Sequence, residues 1–147
     1  MNIIFLDIDG VLNNHHSLAD HVYIITEKCK MIERLCKETN SKIVISSTWR
    51  IGETLKSLQN FFWRVGIDSK YIISVTPIDN SPDSIRGDEI TQWFELHPES
   101  LGFSSDYIII DDDVDFHDHQ LLRLIRTNMH TGFCWDDYDK AVALLKK

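Results

Sequence analysis

The chain is poor in cysteine, with three in 147 residues. Three thiols cannot all pair within one chain, and Cys29 and Cys36 fall on one face of an expected helix. That excludes a disulfide framework and gives no zinc-ligand spacing, so buried free thiols are expected. No apolar run approaches the roughly 20 residues of a membrane-spanning helix. A strand-like run begins directly after Met1-Asn2, which leaves no place for a secretory leader, and a cytoplasmic protein is the expectation. Repeats and low-complexity tracts are absent. Positive charge is scarce as well: 15 Lys and Arg against 23 Asp and Glu give a net charge of −8. A broad electrostatic footprint for nucleic acid is thereby disfavoured, although a local basic cleft is compatible with it. What remains, 43% hydrophobic and 26% charged residues, fits one globular domain over residues 1–147. A chain of this length buries roughly 68–70% of its unfolded surface.

Four apolar runs read as strands, at residues 3–8, 42–46, 71–75 and 106–110. Helical patterns fall between and after them. Residues 26–39 place Cys29, Ile32, Leu35 and Cys36 on one face, with Thr26 as the expected N-cap. Residues 53–64 do the same with Leu55, Leu58, Phe61 and Phe62 before a stop at Gly66. Further helices are expected over 87–97 and about 137–146, while 121–126 fits either a short helix or a fifth strand. Alternation of this kind predicts an α/β fold, a doubly wound parallel sheet in three layers.

The first strand carries the strongest signal. Ile3-Ile4-Phe5-Leu6-Asp7-Ile8-Asp9-Gly10-Val11-Leu12-Asn13 is an apolar run ending in two aspartates and a glycine turn. Such a run is expected to be a central strand, with both acids at the carboxyl edge where open α/β sheets bind ligands. Buried carboxylates are costly unless paired, and Mg²⁺ is a hard cation that takes oxygen ligands of this type. The second strand ends in Ser46-Ser47-Thr48-Trp49-Arg50, where hydroxyls and free N–H groups at a strand-to-helix turn suit phosphate. Arg50 offers a bidentate contact to such a phosphate. The fourth strand ends in Asp111-Asp112-Asp113-Val114-Asp115, a second acidic edge. His15-His16 and His117-Asp118-His119 match no zinc pattern and read as exposed loop residues. The four tryptophans read as core or rim residues.

Asp7-Ile8-Asp9-Gly10-Val11-Leu12 resembles the first motif of the haloacid dehalogenase-like (HAD) phosphohydrolases. Ile45-Ser46-Ser47-Thr48-Trp49-Arg50 is similar to the second motif of small HAD domains associated with RNA-repair proteins. Thr127-x-x-x-Thr131-Gly132-Phe133 resembles the tail of the same small domains. The resemblance implies that Asp7 is a nucleophile forming an aspartyl-phosphate. Asp9 is then the general acid and base, and lends Mg²⁺ its backbone carbonyl. It also implies a phosphate-binding hydroxyl at Ser46, with Ser47 as the alternative one residue on. A screening cation follows at Arg86, with Lys70 in reserve. The metal ligand becomes Asp112 supported by Asp111, or Asp111 and Asp115 in the alternative alignment. No cap domain fits between the motifs, although residues 13–25 have room for a flap. The expected activity is an Mg²⁺-dependent phosphatase with an open cleft, acting on a phosphorylated small molecule or a nucleic-acid end. A receiver-like signalling module, or a catalytically silent HAD fold used for binding, is the competing class.

Overall fold

The computed structural model describes residues 1–101 and 106–146. Its centre is a sheet of five parallel strands in the order β3-β2-β1-β4-β5. These are β1 (Asn2–Leu6), β2 (Ser41–Ile45), β3 (Ile72–Val75), β4 (Tyr107–Asp111) and β5 (Leu124–Arg126). The helices are α1 (His15–Ala19), α2 (Thr26–Thr39), α3 (Leu55–Val65), α4 (Arg86–Leu96), α5 (Asp118–Leu121) and α6 (Trp135–Leu145). The segment left open between helix and strand contains both: α5 turns directly into β5.

Each central strand is apolar on both sides, and alternation along β1 divides its residues between two cores. Ile4 and Leu6 pack with Ile43, Ile45, Ile108 and Ile110 beneath α2, α3 and α6. Ile3 and Phe5 face the other way, with Val44 and Ile109, against Ile90 and Trp93 of α4. Phe5 meets Trp93 edge-on at a centroid distance of 5.4 Å, an arrangement favoured by the ring quadrupoles. The result is the expected three-layer, doubly wound α/β fold, and among the described residues no cap domain interrupts it.

Local signals account for the helix limits. Thr54 caps α3 by accepting from Ser57 N at 3.0 Å, and the helix ends at Gly66. Thr26 is not the cap of α2 but its first residue. Ile25 is held extended by its N–H bond to Leu12 O, and its own carbonyl already accepts from Lys28 and Cys29. No described helix is long and apolar enough to cross a membrane.

The apolar face of α2 buries Cys29 and Cys36, and burial pushes both thiols up to about 12. Thiolate is the reactive form, so both are protected near neutral pH. A thiol titration at about pH 8 is expected to count at most one fast sulfhydryl, Cys134, in the native protein, and all three after denaturation. Rapid modification of Cys29 or Cys36 in the folded state would contradict this packing.

Candidate active site

The strand order reverses between β1 and β4, the point at which doubly wound sheets bind ligands beyond their carboxyl edge. Leu6 is in register with Ile110, so the next residues of the two strands, Asp7 and Asp111, emerge side by side. Asp7 N donates to Ile110 O at 3.0 Å and closes the ladder there. Asp7 and Asp111 are almost wholly buried, at 3% and 0% exposure. With Asp112 they present oxygen atoms that all lie within 4.8 Å of one another.

Asp112 reaches this position because residue 10 has no side chain. Gly10 has φ +78°, and a Cβ there would lie 2.6 Å from Asp112 Cγ and 2.8 Å from Met129 Sδ. The rest of the loop is braced by the far end of the chain. Thr127 Oγ1 donates to Gly10 O at 2.6 Å, and Phe133 N donates to Val11 O at 2.8 Å. Gly132 permits that approach, since a Cβ would lie 2.8 Å from Asn13 O. The Thr-Gly-Phe tail thus supports the loop between Asp7 and Asn13.

Arg86, the first residue of α4, carries the balancing charge. Its Nη1 lies 2.6 Å from Asp111 Oδ2 and 3.4 Å from Asp7 Oδ1. Burial alone would lower the guanidinium pKa, but Asp111 and Asp7 more than reverse this and raise it. Burial also raises Asp7, against the pull of Arg86. Burial and the Asp7 carboxylate beside it push Asp111 up to about 8, again opposed by Arg86. One guanidinium therefore leaves a group of three carboxylates, two of them buried, under-neutralised. The donors are all carboxylate oxygens, the set that suits a hard divalent cation such as Mg²⁺.

Asp115 and His117 fix Arg86 in place instead of joining the acids. Asp115 accepts from Arg86 N at 3.2 Å and from Gly87 N through its carbonyl at 3.1 Å. His117 was expected to be an exposed loop residue. Its Nε2 instead lies 2.6 Å from Asp88 Oδ1, which joins the acidic loop to the first turn of α4.

Residues 3–138 match the family described as the HAD domain in Swiss Army Knife RNA repair proteins. The chain belongs to that family. Among the curated proteins and the solved structures, none matches it.

In this HAD domain the end of β2 divides its polar residues between two uses. The Ser46 hydroxyl is buried and, among the described residues, has no hydrogen-bond partner, like that of Thr76. Ser47 Oγ accepts from Trp49 N at 3.2 Å, capping the short 3-10 turn Thr48–Arg50. Arg50 departs from the expectation that it reaches a substrate phosphate. Its Nε donates to Thr76 O, its Nη1 to Ser46 O and Ser47 O, and its Nη2 to Pro77 O and Glu89 Oε2. All five guanidinium protons are thereby engaged, and the side chain is 4% exposed. Lys70 is likewise misplaced for the role held in reserve. It precedes β3, at the amino edge of a parallel sheet whose acids follow its carboxyl ends.

Two contacts to Asp9 had no sequence signal of their own. Trp49 Nε1 lies 3.2 Å from both Asp9 carboxylate oxygens, so this tryptophan is more than a rim residue. Asn13 Nδ2 donates to Asp9 Oδ1 at 2.9 Å, while Asn13 Oδ1 accepts from Gly10 N at 2.8 Å. A cavity of about 460 Å³ opens beside Asp112, lined by Arg126, Thr127, Asn128 and Met129.

The bonding of Arg50 yields a test. Arg50→Ala removes the guanidinium donors from Ser46 O, Thr76 O and Pro77 O and the counter-charge from a largely buried Glu89, and is expected to cost about 3–5 kcal/mol in urea unfolding. A variant of unchanged stability but weakened phosphate binding would return Arg50 to the substrate.

Proposed function

We propose that this HAD domain is an Mg²⁺-dependent phosphomonoesterase acting on phosphorylated RNA ends or nucleotides, through a covalent intermediate on Asp7. The observation that carries the reading is the buried pair Asp7 and Asp111 at the sheet's switch point, facing a single guanidinium. Such an arrangement costs stability unless a cation and an anionic substrate use it.

Asp7 and Asp112 are the residues we assign to Mg²⁺, with the Asp9 backbone carbonyl completing the protein's share. Asp111 supports them, because its oxygens already accept from Arg86 Nη1 and Asp113 N. When bound, the ion supplies charge neutralisation between Asp7 and a dianionic phosphate. An Asp7 oxygen attacks phosphorus, the bond from phosphorus to the leaving oxygen breaks, and Asp9 gives that oxygen its proton. Water then attacks phosphorus and surrenders a proton to Asp9. The bond from Asp7 to phosphorus breaks, phosphate departs, and both carboxyl groups return to their starting states. The unpartnered Ser46 hydroxyl is the donor we assign to a phosphoryl oxygen, and Arg86 screens the charge. Membership of a family of RNA-repair domains supports the choice of substrate. So does the uncapped edge, where the cavity beside Asp112 carries the cationic Arg126.

The test is hydrolysis of p-nitrophenyl phosphate with and without Mg²⁺, beside Asp7→Asn. Turnover is expected to require the ion and to fall at least roughly 10³-fold in the variant, as for loss of a covalent nucleophile. Retained turnover in Asp7→Asn would remove the nucleophile. Stable labelling by acetyl phosphate without turnover would indicate a signalling module. Rapid cleavage of mononucleotides beside an inert 3′-phosphorylated oligoribonucleotide would remove the RNA-end assignment.

A further inference from the structure

We infer that Trp49 is a positioning residue for Asp9, holding its carboxylate so that a proton carried there is delivered to the leaving oxygen. The inference rests on the acid and base role proposed above for Asp9. Trp49 Nε1 is equidistant, at 3.2 Å, from Oδ1 and Oδ2. An indole N–H is a donor and never an acceptor. The second neighbour, Asn13, turns its Nδ2 toward Asp9, and the amide is fixed in that sense because its Oδ1 accepts from Gly10 N while Nδ2 also donates to Tyr23 O. Both side chains that hydrogen-bond to the Asp9 carboxylate are therefore donors.

The indole suits this task in a way that a lysine or arginine does not. It orients the carboxylate without bringing a positive charge next to Arg86 and the substrate phosphate. Its own placement is rigid. The 3-10 turn that carries it is capped by Ser47 and clamped through Arg50 to the ends of β2 and β3. The ring packs against Phe61 of α3 at a centroid distance of 5.9 Å. The five bonds of Arg50 thus act on the chemistry at one remove, by holding the turn from which Trp49 reaches Asp9.

Leaving-group dependence separates this role from packing. p-Nitrophenolate departs without needing a proton, whereas a ribose hydroxyl must be protonated as it leaves. Trp49→Phe keeps an aromatic ring against Phe61 and removes the N–H. Its kcat/KM, which reports only the steps up to the aspartyl-phosphate, is expected to fall about tenfold on a 3′-phosphorylated oligoribonucleotide but by less than about twofold on p-nitrophenyl phosphate. Equal losses on both substrates, or none on either, would overturn the inference while leaving the phosphatase reading intact. A wild-type protein that hydrolyses neither substrate would overturn that reading, and the positioning role with it. The contact has its own readout in the ¹⁵N–¹H spectrum. The indole signal that Trp49→Phe removes is expected to shift in Asp9→Asn, and the other three tryptophan indoles to stay in place. An unmoved Trp49 signal would overturn the contact itself.

Discussion

The charge balance around Arg86 is the constraint on which the rest of the site depends. Asp7 and Asp111 leave the ends of adjacent strands nearly enclosed by protein, and a single guanidinium touches both. Carboxylates removed from water need a partner, and a site with one cation for three acids holds them together without satisfying them. Much of the surrounding structure keeps that cation where it is. Asp115 binds the backbone at the start of α4, and the His117–Asp88 contact ties its first turn to the loop after β4. The loop that carries Asp112 thus also braces the start of α4, tying the counter-ion to the acids it neutralises.

Topology supplies the rest of the precision. Parallel register carries Asp7 and Asp111 to the same height, and the reversal of strand order leaves an opening above them. Glycine at position 10 lets Asp112 close over the loop. The second strand divides its two serines, one free of partners and one spent on a turn. What distinguishes Ser46 from Ser47 is thus their bonding in the fold, since both are buried hydroxyls at the same strand end.

How much of this was legible in sequence depended on the range of the interaction. The first four strands, their parallel arrangement and the long helices follow from local apolar patterns, and α2 runs over the very residues its pattern indicates. The acids of the cluster were visible because they terminate apolar runs, a feature of a few consecutive residues. The partners of Arg50 and Trp49 were hidden for the opposite reason. Those partners, Thr76, Glu89 and Asp9, are distant in sequence and are brought together only by strand pairing and helix packing. An arginine saturated by carbonyls and an arginine awaiting phosphate look alike in a sequence. His117 shows the same difficulty, since its partner Asp88 belongs to another element. The junction at 121–126 was ambiguous because α5 and β5 are each too short to display a full period.

The bracing of the loop after β1 has a consequence for how the molecule is made. Synthesis delivers Asp7 and Gly10 well before Thr127 and Phe133, which hold that loop through Gly10 O and Val11 O. A nascent chain that has reached β4 already owns every acid of the cluster, yet lacks the struts that fix their geometry. The geometry of the site is complete only once the segment from Thr127 to Phe133 docks against the loop after β1.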